Sequence, residues 1–228
     1  MVVDLAELLS LPGVEEVCVL RSAVGILALH GGSQDRGTHE IAAQAARSAG
    51  ASYYAIVQPP NLRSHLTSRR HDPNQSQILP TFLRHIEIAI SVHGFGRDGF
   101  VLYVDQFRGV VIEPYGPPRL SNQSGPLRGI IIGGLNPRLL EVARELFDGL
   151  IADFHVADER VRLGFAPDNP VNLPRRHGVQ IELPPGLRGI GDFGERLTPL
   201  QDEKVDEVVA ALIQLAERAD GLRLEPLA

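Results

Sequence analysis

Two apolar segments of this sequence each run directly into a histidine followed by a glycine. Residues 25–29 precede His30-Gly31-Gly32, and residues 88–92 precede His93-Gly94. After the first of them, apolar residues between 41 and 49 recur at the spacing of one helix face. Strand, polar loop and helix in this order are typical of an α/β protein whose site lies at the carboxyl ends of its strands.

The same alternation continues along the chain. The patterns predict strands at 17–21, 26–29, 53–57, 88–92, 100–104, 127–132, 154–156 and 179–183, and helices at 4–11, 39–49, 78–87, 137–150 and 202–218. Thr38 is the expected cap of the second helix. Residues 59–77 and 110–125 are expected to be loops. The predicted fold is a three-layer α/β/α sandwich with a mixed, mostly parallel sheet, and 100–104 is a candidate antiparallel edge strand.

Length and composition are those of one globular domain, predicted to span residues 1–228. The net charge of −6 argues against broad attraction to nucleic acid. The single cysteine, Cys18, excludes a disulfide framework within the chain. The first residues lack the pattern of a secretory signal, and no apolar run reaches the roughly 20 residues of a membrane helix. We therefore expect a cytoplasmic protein, or one released by lysis.

His30, Asp35 and His93 are the candidate metal ligands. Two histidines and a carboxylate at strand ends suit a three-ligand zinc site that keeps one position open. Each histidine could instead be a hydrogen-bonded core residue, and Asp35 could serve only the positive end of the following helix. Gln34 is a weaker alternative to Asp35, because a neutral amide is a poor zinc ligand.

Glu182 is the second candidate, near the end of the alternating segment 179–183. Alternation predicts a strand with one polar face, so Glu182 could simply point to solvent. Its functional interpretation is a carboxylate at the sheet edge that accepts a proton from the attacking water.

Several blocks, taken in order, resemble the poly-γ-glutamate hydrolase family, whose members occur in phages and bacteria. These blocks are His30-Gly31-Gly32 with residues 36–42, Ser64-His65-Leu66-Thr67-Ser68, Ser91-Val92-His93-Gly94, and residues 178–183 with Gly186-Leu187-Arg188. Each block alone is weak, whereas the ordered set is fairly specific and extends over most of the chain from Gly25 to Arg188.

The resemblance implies a compact zinc carboxypeptidase-like fold and hydrolysis of γ-glutamyl amide bonds. It implies that His30, Asp35 and His93 bind Zn²⁺ and that Glu182 is the general base. The sequence departs from the family where Asp35 replaces the usual glutamate and where His177 replaces a common glycine. The long central segments, about 108–125 and 157–176, are expected to reshape the cleft.

An anionic γ-glutamyl polymer needs a local basic patch on an acidic protein. The loop 59–77 carries Arg63, Arg69 and Arg70, and Arg175, Arg176 and Arg188 flank Glu182 in the sequence. We select Arg70 as a catalytic contact to the oxyanion and assign Arg188 and His65 to substrate binding.

Other functions stay open at this point. The same zinc chemistry could act on another acyl amino acid or on a peptidoglycan peptide. A non-catalytic binding protein with a decayed zinc site is favoured only by the shortened ligand Asp35. Nucleic-acid binding is disfavoured by the net charge and by the lack of a glycine-rich phosphate loop with lysine.

Overall fold

The structure is a computed structural model that describes residues 4–62, 64–95, 100–105, 109–114, 129–150, 155–156, 164–190 and 203–225. The helices in these ranges are α1 (Leu5–Ser10), α2 (Thr38–Ser48), α3 (Leu79–His85), α4 (Pro137–Leu150) and α5 (Glu203–Arg223). The strands are β1 (Glu15–Val19), β2 (Val24–Gly32), β3 (Ser52–Gln58), β4 (Ile88–Gly94), β5 (Phe100–Asp105), β6 (Gly109–Pro114), β7 (Gly129–Gly134), β8 (His155–Val156) and β9 (Gly178–Leu183). No helix in these ranges is both long and apolar enough to cross a membrane.

Seven strands form one mixed sheet in the order β1-β3-β2-β4-β9-β7-β8. The central strands β3, β2, β4 and β9 run parallel, whereas β1 and β7 pair antiparallel with their neighbours β3 and β9. The parallel strands therefore bring their carboxyl ends to one edge of the sheet, where a polar site is expected.

Apolar side chains alternate between the two faces of the sheet. Ile26 and Ala28 of β2 belong to the core beneath α2, α4 and α5, while Leu27 and Leu29 belong to the core beneath α1 and α3. Helices thus cover both faces, and the predicted three-layer α/β/α sandwich with a mostly parallel sheet is confirmed.

Two local predictions are wrong. β5 does not form an edge of the main sheet, since it pairs antiparallel with β6 in a separate two-stranded sheet. Residues Gly109–Pro114 are therefore a strand, although they lie largely inside a segment predicted to be a loop. The remainder of that predicted loop, residues 115–125, lies outside the described residues.

The start of α2 also differs from the prediction. Gly37, with φ of +87°, precedes the helix, and Thr38 is its first residue. The Thr38 hydroxyl donates to the Asp35 carbonyl at 2.6 Å and does not cap the helix. Gly37 is required here because a Cβ atom would lie 2.4 Å from the Arg188 carbonyl oxygen.

Candidate metal centre and catalytic carboxylate

His30 lies where β2 departs from regular pairing. The register with β3 shifts between Ala28 and Gly31, so that β2 contains one extra residue there. A β-bulge of this kind redirects a side chain. As a result the His30 ring lies 4.8 Å from the ring of His93, although Ala28 packs into the core on the other face of the sheet.

A tight turn brings Asp35 back to His30. The Asp35 amide donates to the His30 carbonyl at 2.8 Å, and Gly32 within the turn has φ of +74°. A carboxylate oxygen of Asp35, Oδ2, then lies 3.3 Å from His30 Nδ1. The same oxygen accepts a hydrogen bond of 3.1 Å from the backbone amide of Gly94. The five-residue spacing between His30 and Asp35 thus allows one turn to bring the two side chains together.

Three possible ligand atoms meet at this point. His93 Nδ1 lies 3.1 Å from His30 Nδ1 and 3.9 Å from Asp35 Oδ2, and the donor atoms of the three residues all lie within 4.8 Å of one another. The His93 ring is held from behind, because its Nε2 lies 2.8 Å from the Ser91 hydroxyl. The structure therefore brings together the three residues that the sequence predicted as ligands.

Burial and neighbouring charges shift the pKa values of Asp35, His30 and His93. Burial opposes ionisation of Asp35, but its hydrogen bond and charge interactions with His30, together with His93 and Arg188, lower its pKa. Burial likewise opposes protonation of His30, but Asp35 and Glu182 raise its pKa. For His93, burial and the neighbouring His30 lower the pKa to about 3. In the metal-free chain, the charge of Asp35 thus favours the protonated form of His30.

Glu182 lies on the strand beside His93. The two residues are register partners in the parallel pair β4 and β9. The Glu182 side chain is buried, with the residue 9% exposed, so the solvent-facing interpretation of this carboxylate is wrong. Burial, reinforced by the charge of Asp35, raises the pKa of Glu182 to about 7.

Buried amides hold Glu182 in place. Gln180 Nε2 donates to Glu182 Oε1 at 2.8 Å, and Asn169 Nδ2 donates to Gln180 Oε1 at 3.0 Å. Asn169 is itself oriented by the Val171 amide, which donates to its Oδ1 at 3.3 Å. Alternation along β9 therefore produces a polar face that is buried beneath the segment around Asn169.

Arg188 is buried beneath the Gly94 backbone. Its Nε, Nη1 and Nη2 donate to the carbonyls of Leu183, Arg36 and Phe95 at 3.1, 2.8 and 3.0 Å. A Cβ atom on Gly94 would lie 2.6 Å from the guanidinium carbon, so a side chain there would displace the guanidinium. The guanidinium ties the loop after β2 to the ends of β4 and β9. Its assignment to substrate stays a prediction.

The loop between β3 and α3 supplies three further residues. The His65 ring lies 5.8 Å from the His30 ring, and Arg70 is exposed on the same loop. His71 was not predicted from the sequence; it is fully buried, with its ring 5.3 Å from that of His30. Its Nδ1 lies 3.1 Å from the Thr67 carbonyl. A histidine in a polar loop gave no periodic signal, and only its place in the folded loop reveals it.

Two of the predicted basic residues are engaged elsewhere. Arg69 forms a bidentate ion pair with Asp168, with contacts of 2.8 to 3.0 Å, which joins the 59–77 loop to the segment before β9. Both side chains are largely exposed, at 66% and 52%. Arg176 lies at the opposite edge of the sheet, where it contacts Glu87 and the Leu222 carbonyl. Arg176 is close to Glu182 in the sequence but not in space, because it precedes β9 whereas Glu182 lies near the other end of that strand.

Sequence comparison identifies the relatives of this chain. The model of the family described as poly-gamma-glutamate hydrolase matches residues 11–105, which include His30, Asp35 and His93. This segment is therefore similar to the poly-γ-glutamate hydrolase family. The resemblance read from the sequence is confirmed, and it relates the chain to a family of hydrolases. Among curated protein sequences, none matches this chain.

Solved structures with the same fold include a poly-γ-glutamate hydrolase. A bacteriophage poly-gamma-glutamate hydrolase is 20% identical, with a TM-score of 0.67 over 92% of this chain and 90% of its own. YNDL in a zinc-free form is 19% identical, with a TM-score of 0.63 over 90% of each chain. An N-formylglutamate amidohydrolase from Ralstonia eutropha JMP134 is 11% identical, with a TM-score of 0.56 over 91% of this chain and 97% of its own. These similarities establish the shared fold.

Proposed function

We propose that this protein is a zinc-dependent amidohydrolase that cleaves the γ-glutamyl amide bonds of poly-γ-glutamate. The observation that carries the proposal is the convergence of His30, Asp35 and His93 beside the buried carboxylate of Glu182. The family match over residues 11–105 supports the substrate class.

The side chains present fit a zinc ion. His30, Asp35 and His93 would hold it through one imidazole nitrogen each and a carboxylate oxygen, which is a donor set that zinc accepts. The Ser91 hydroxyl and the Gly94 amide already bond to His93 and Asp35, as the partners behind metal ligands commonly do. When bound, zinc supplies Lewis-acid polarisation of a carbonyl and acidification of water.

Glu182 is the group that we assign to proton transfer. Its Oε1 accepts from Gln180, so we assign Oε2 to take the proton of the attacking water. In the metal-free chain the pKa of Glu182 is raised to about 7, toward the range that suits a group that must accept this proton and return it to the leaving amine at neutral pH. Gln180 and Asn169 hold the carboxylate in one orientation during both transfers.

Two arginines have different roles in this proposal. Arg70 is exposed on the loop that also carries His65, and we keep it as the contact to the oxyanion or to a substrate carboxylate. Arg188 is buried among three carbonyls, so we infer that it supports the site from within. Its charge lowers the pKa of Asp35 and keeps that side chain in the ionised form that a metal requires.

The test compares hydrolysis of defined γ-glutamyl oligomers with that of α-linked glutamate peptides by the zinc-loaded protein. We expect cleavage of the γ-linked series only. Glu182→Gln should retain zinc and lose roughly a hundredfold or more in turnover, the scale of general-base catalysis. Glu145→Gln, at an exposed position on α4, is the matched control and should behave as wild type.

Preferred cleavage of α-linked peptides or of other acyl amino acids would refute the substrate assignment while leaving the zinc site intact. Near-normal turnover of Glu182→Gln on the preferred substrate would refute the role of Glu182. Loss of zinc from that variant would instead place Glu182 among the ligands.

A further inference from the structure

Gln58, the last residue of β3, has an amide whose orientation is fixed by the backbone. Its Oε1 accepts from the Ser64 amide at 2.9 Å, and its Nε2 donates to the Ser64 carbonyl at 2.7 Å. A backbone N–H can only donate and a carbonyl can only accept, so the amide of Gln58 cannot be turned over without losing both bonds. The side chain is buried, with the residue 2% exposed, and this makes such a loss costly.

The second hydrogen of Gln58 Nε2 fixes the next amide. This nitrogen donates to Gln34 Oε1 at 2.7 Å, so Oε1 is the accepting end of Gln34 and Nε2 is its donating end. Gln34 Nε2 lies 2.9 Å from Nδ1 of His65. Because an amide nitrogen does not accept a hydrogen bond, His65 Nδ1 must be the acceptor and must carry no hydrogen.

The loop that carries His65 is fixed to the same turn. The Ser33 hydroxyl donates to the Leu62 carbonyl, and the Ser33 amide donates to the Gln58 carbonyl at 3.2 Å. Gly32 pairs with Gln58 at the end of the parallel strands. The chain of amides therefore runs between two segments whose separation is set by the sheet.

We propose that Gln34 and Gln58 are positioning residues that hold neutral His65 in the tautomer with its hydrogen on Nε2. His65 then acts as a hydrogen-bond donor beside the metal centre, where its ring lies 5.8 Å from that of His30. A donor selects an oxygen acceptor, such as the carbonyl or carboxylate of a γ-glutamyl unit. This last step rests on the proposed function, whereas the tautomer of His65 does not.

The tautomer is measured directly by long-range ¹H–¹⁵N correlation spectra of the histidine rings, with His65 assigned through His65→Asn. Spectra are recorded above the pH at which His65 loses its charge, with neither metal nor substrate added. Wild type should show the Nε2–H pattern. Gln34→Glu replaces the donor with a carboxylate that can only accept, so neutral His65 should change to the Nδ1–H pattern. Gln58→Glu, which cannot donate to Gln34, should weaken the preference for Nε2–H.

The control is Gln214→Glu, which makes the same substitution at an exposed position on α5 and should leave the His65 spectrum unchanged. An Nδ1–H pattern in wild type, or the same pattern in wild type and Gln34→Glu, would overturn the proposal. Because this measurement needs no substrate, a chain that fails to hydrolyse γ-glutamyl oligomers but gives the expected spectra refutes only the proposed function.

A kinetic experiment tests the contact to substrate. Gln34→Met keeps the length of the side chain and removes the donor, so His65 is free to adopt either tautomer. If His65 donates equally to substrate and transition state, KM should rise severalfold while kcat changes little. An altered His65 spectrum with unchanged KM and kcat would show that the tautomer is held but does not serve binding.

Discussion

The burial of Glu182 predicts that removing its charge stabilises the metal-free protein. Burial and the nearby Asp35 raise the pKa of this carboxyl from 4.5 to about 7 in the folded chain. Since a tenfold change in proton affinity is worth about 1.4 kcal/mol, the difference corresponds to roughly 3 kcal/mol of stability. The substitution Glu182→Gln keeps the size of the side chain and removes this cost.

The sign of the pH dependence follows from where each state ionises. Below about pH 4.5 the carboxyl is protonated in both states, and the variant and wild type should be equally stable. Between about pH 4.5 and 7 the unfolded chain ionises while the folded chain keeps its proton, so wild type loses stability as the pH rises. Above pH 7 the loss is complete, and the variant should be more stable by up to about 3 kcal/mol.

Urea unfolding of the metal-free protein between pH 4.5 and 8.5, followed by circular dichroism, measures this difference. Glu145→Gln, with an exposed side chain on α4, should show no such trend. Zinc favours the ionised carboxylate and should reduce the gain of Glu182→Gln. A stability difference that is constant with pH, or that favours wild type at high pH, would refute the inference that the ionised carboxylate of Glu182 destabilises the folded protein.

Three further predictions concern the ligands and the arginines. Elemental analysis should find about one zinc per chain, lost in Asp35→Ala and retained in Gln34→Ala, and the opposite result would move the ligand to Gln34. Arg188→Met removes a buried cation together with its three hydrogen bonds and leaves three carbonyls without this donor, so it should lower the free energy of unfolding by about 3 kcal/mol or more. The exposed control Arg47→Met should change the free energy of unfolding little. Arg70→Ala should impair turnover of anionic substrates, and added salt should weaken their binding to wild type; equal activity on neutral and acidic amides without a salt effect would count against this role.

The sequence predicted the parts of the fold and of the site that depend on local pattern. Buried parallel strands are continuous apolar runs, and therefore β2 and β4 were recognisable together with the histidines that end them. The turn from His30 to Asp35 is also local, and its length is readable from the spacing. These features needed no knowledge of which strands are neighbours.

What depends on distant packing could not be predicted. Gln180 and Glu182 alternate with apolar residues as on a half-exposed strand, but the segment containing Asn169 covers their face and buries them. His71 becomes part of the site only because its loop folds back over β2. The pairing of β5 with β6 was missed for a related reason, since a strand pattern does not state which strand is its partner.

The ion pair between Arg69 and Asp168 has a consequence for access to the metal centre. Exposed ion pairs are screened by water and usually contribute little to stability, and both side chains of this pair are largely exposed. Separating the two side chains therefore costs little compared with moving a buried element. The carboxylates of a polyanion, present at high local concentration along the polymer, compete with Asp168 for the same guanidinium. The approach of an anionic chain would thus loosen the link between the two segments that flank the site, and entry would require no motion of the sheet or its helices.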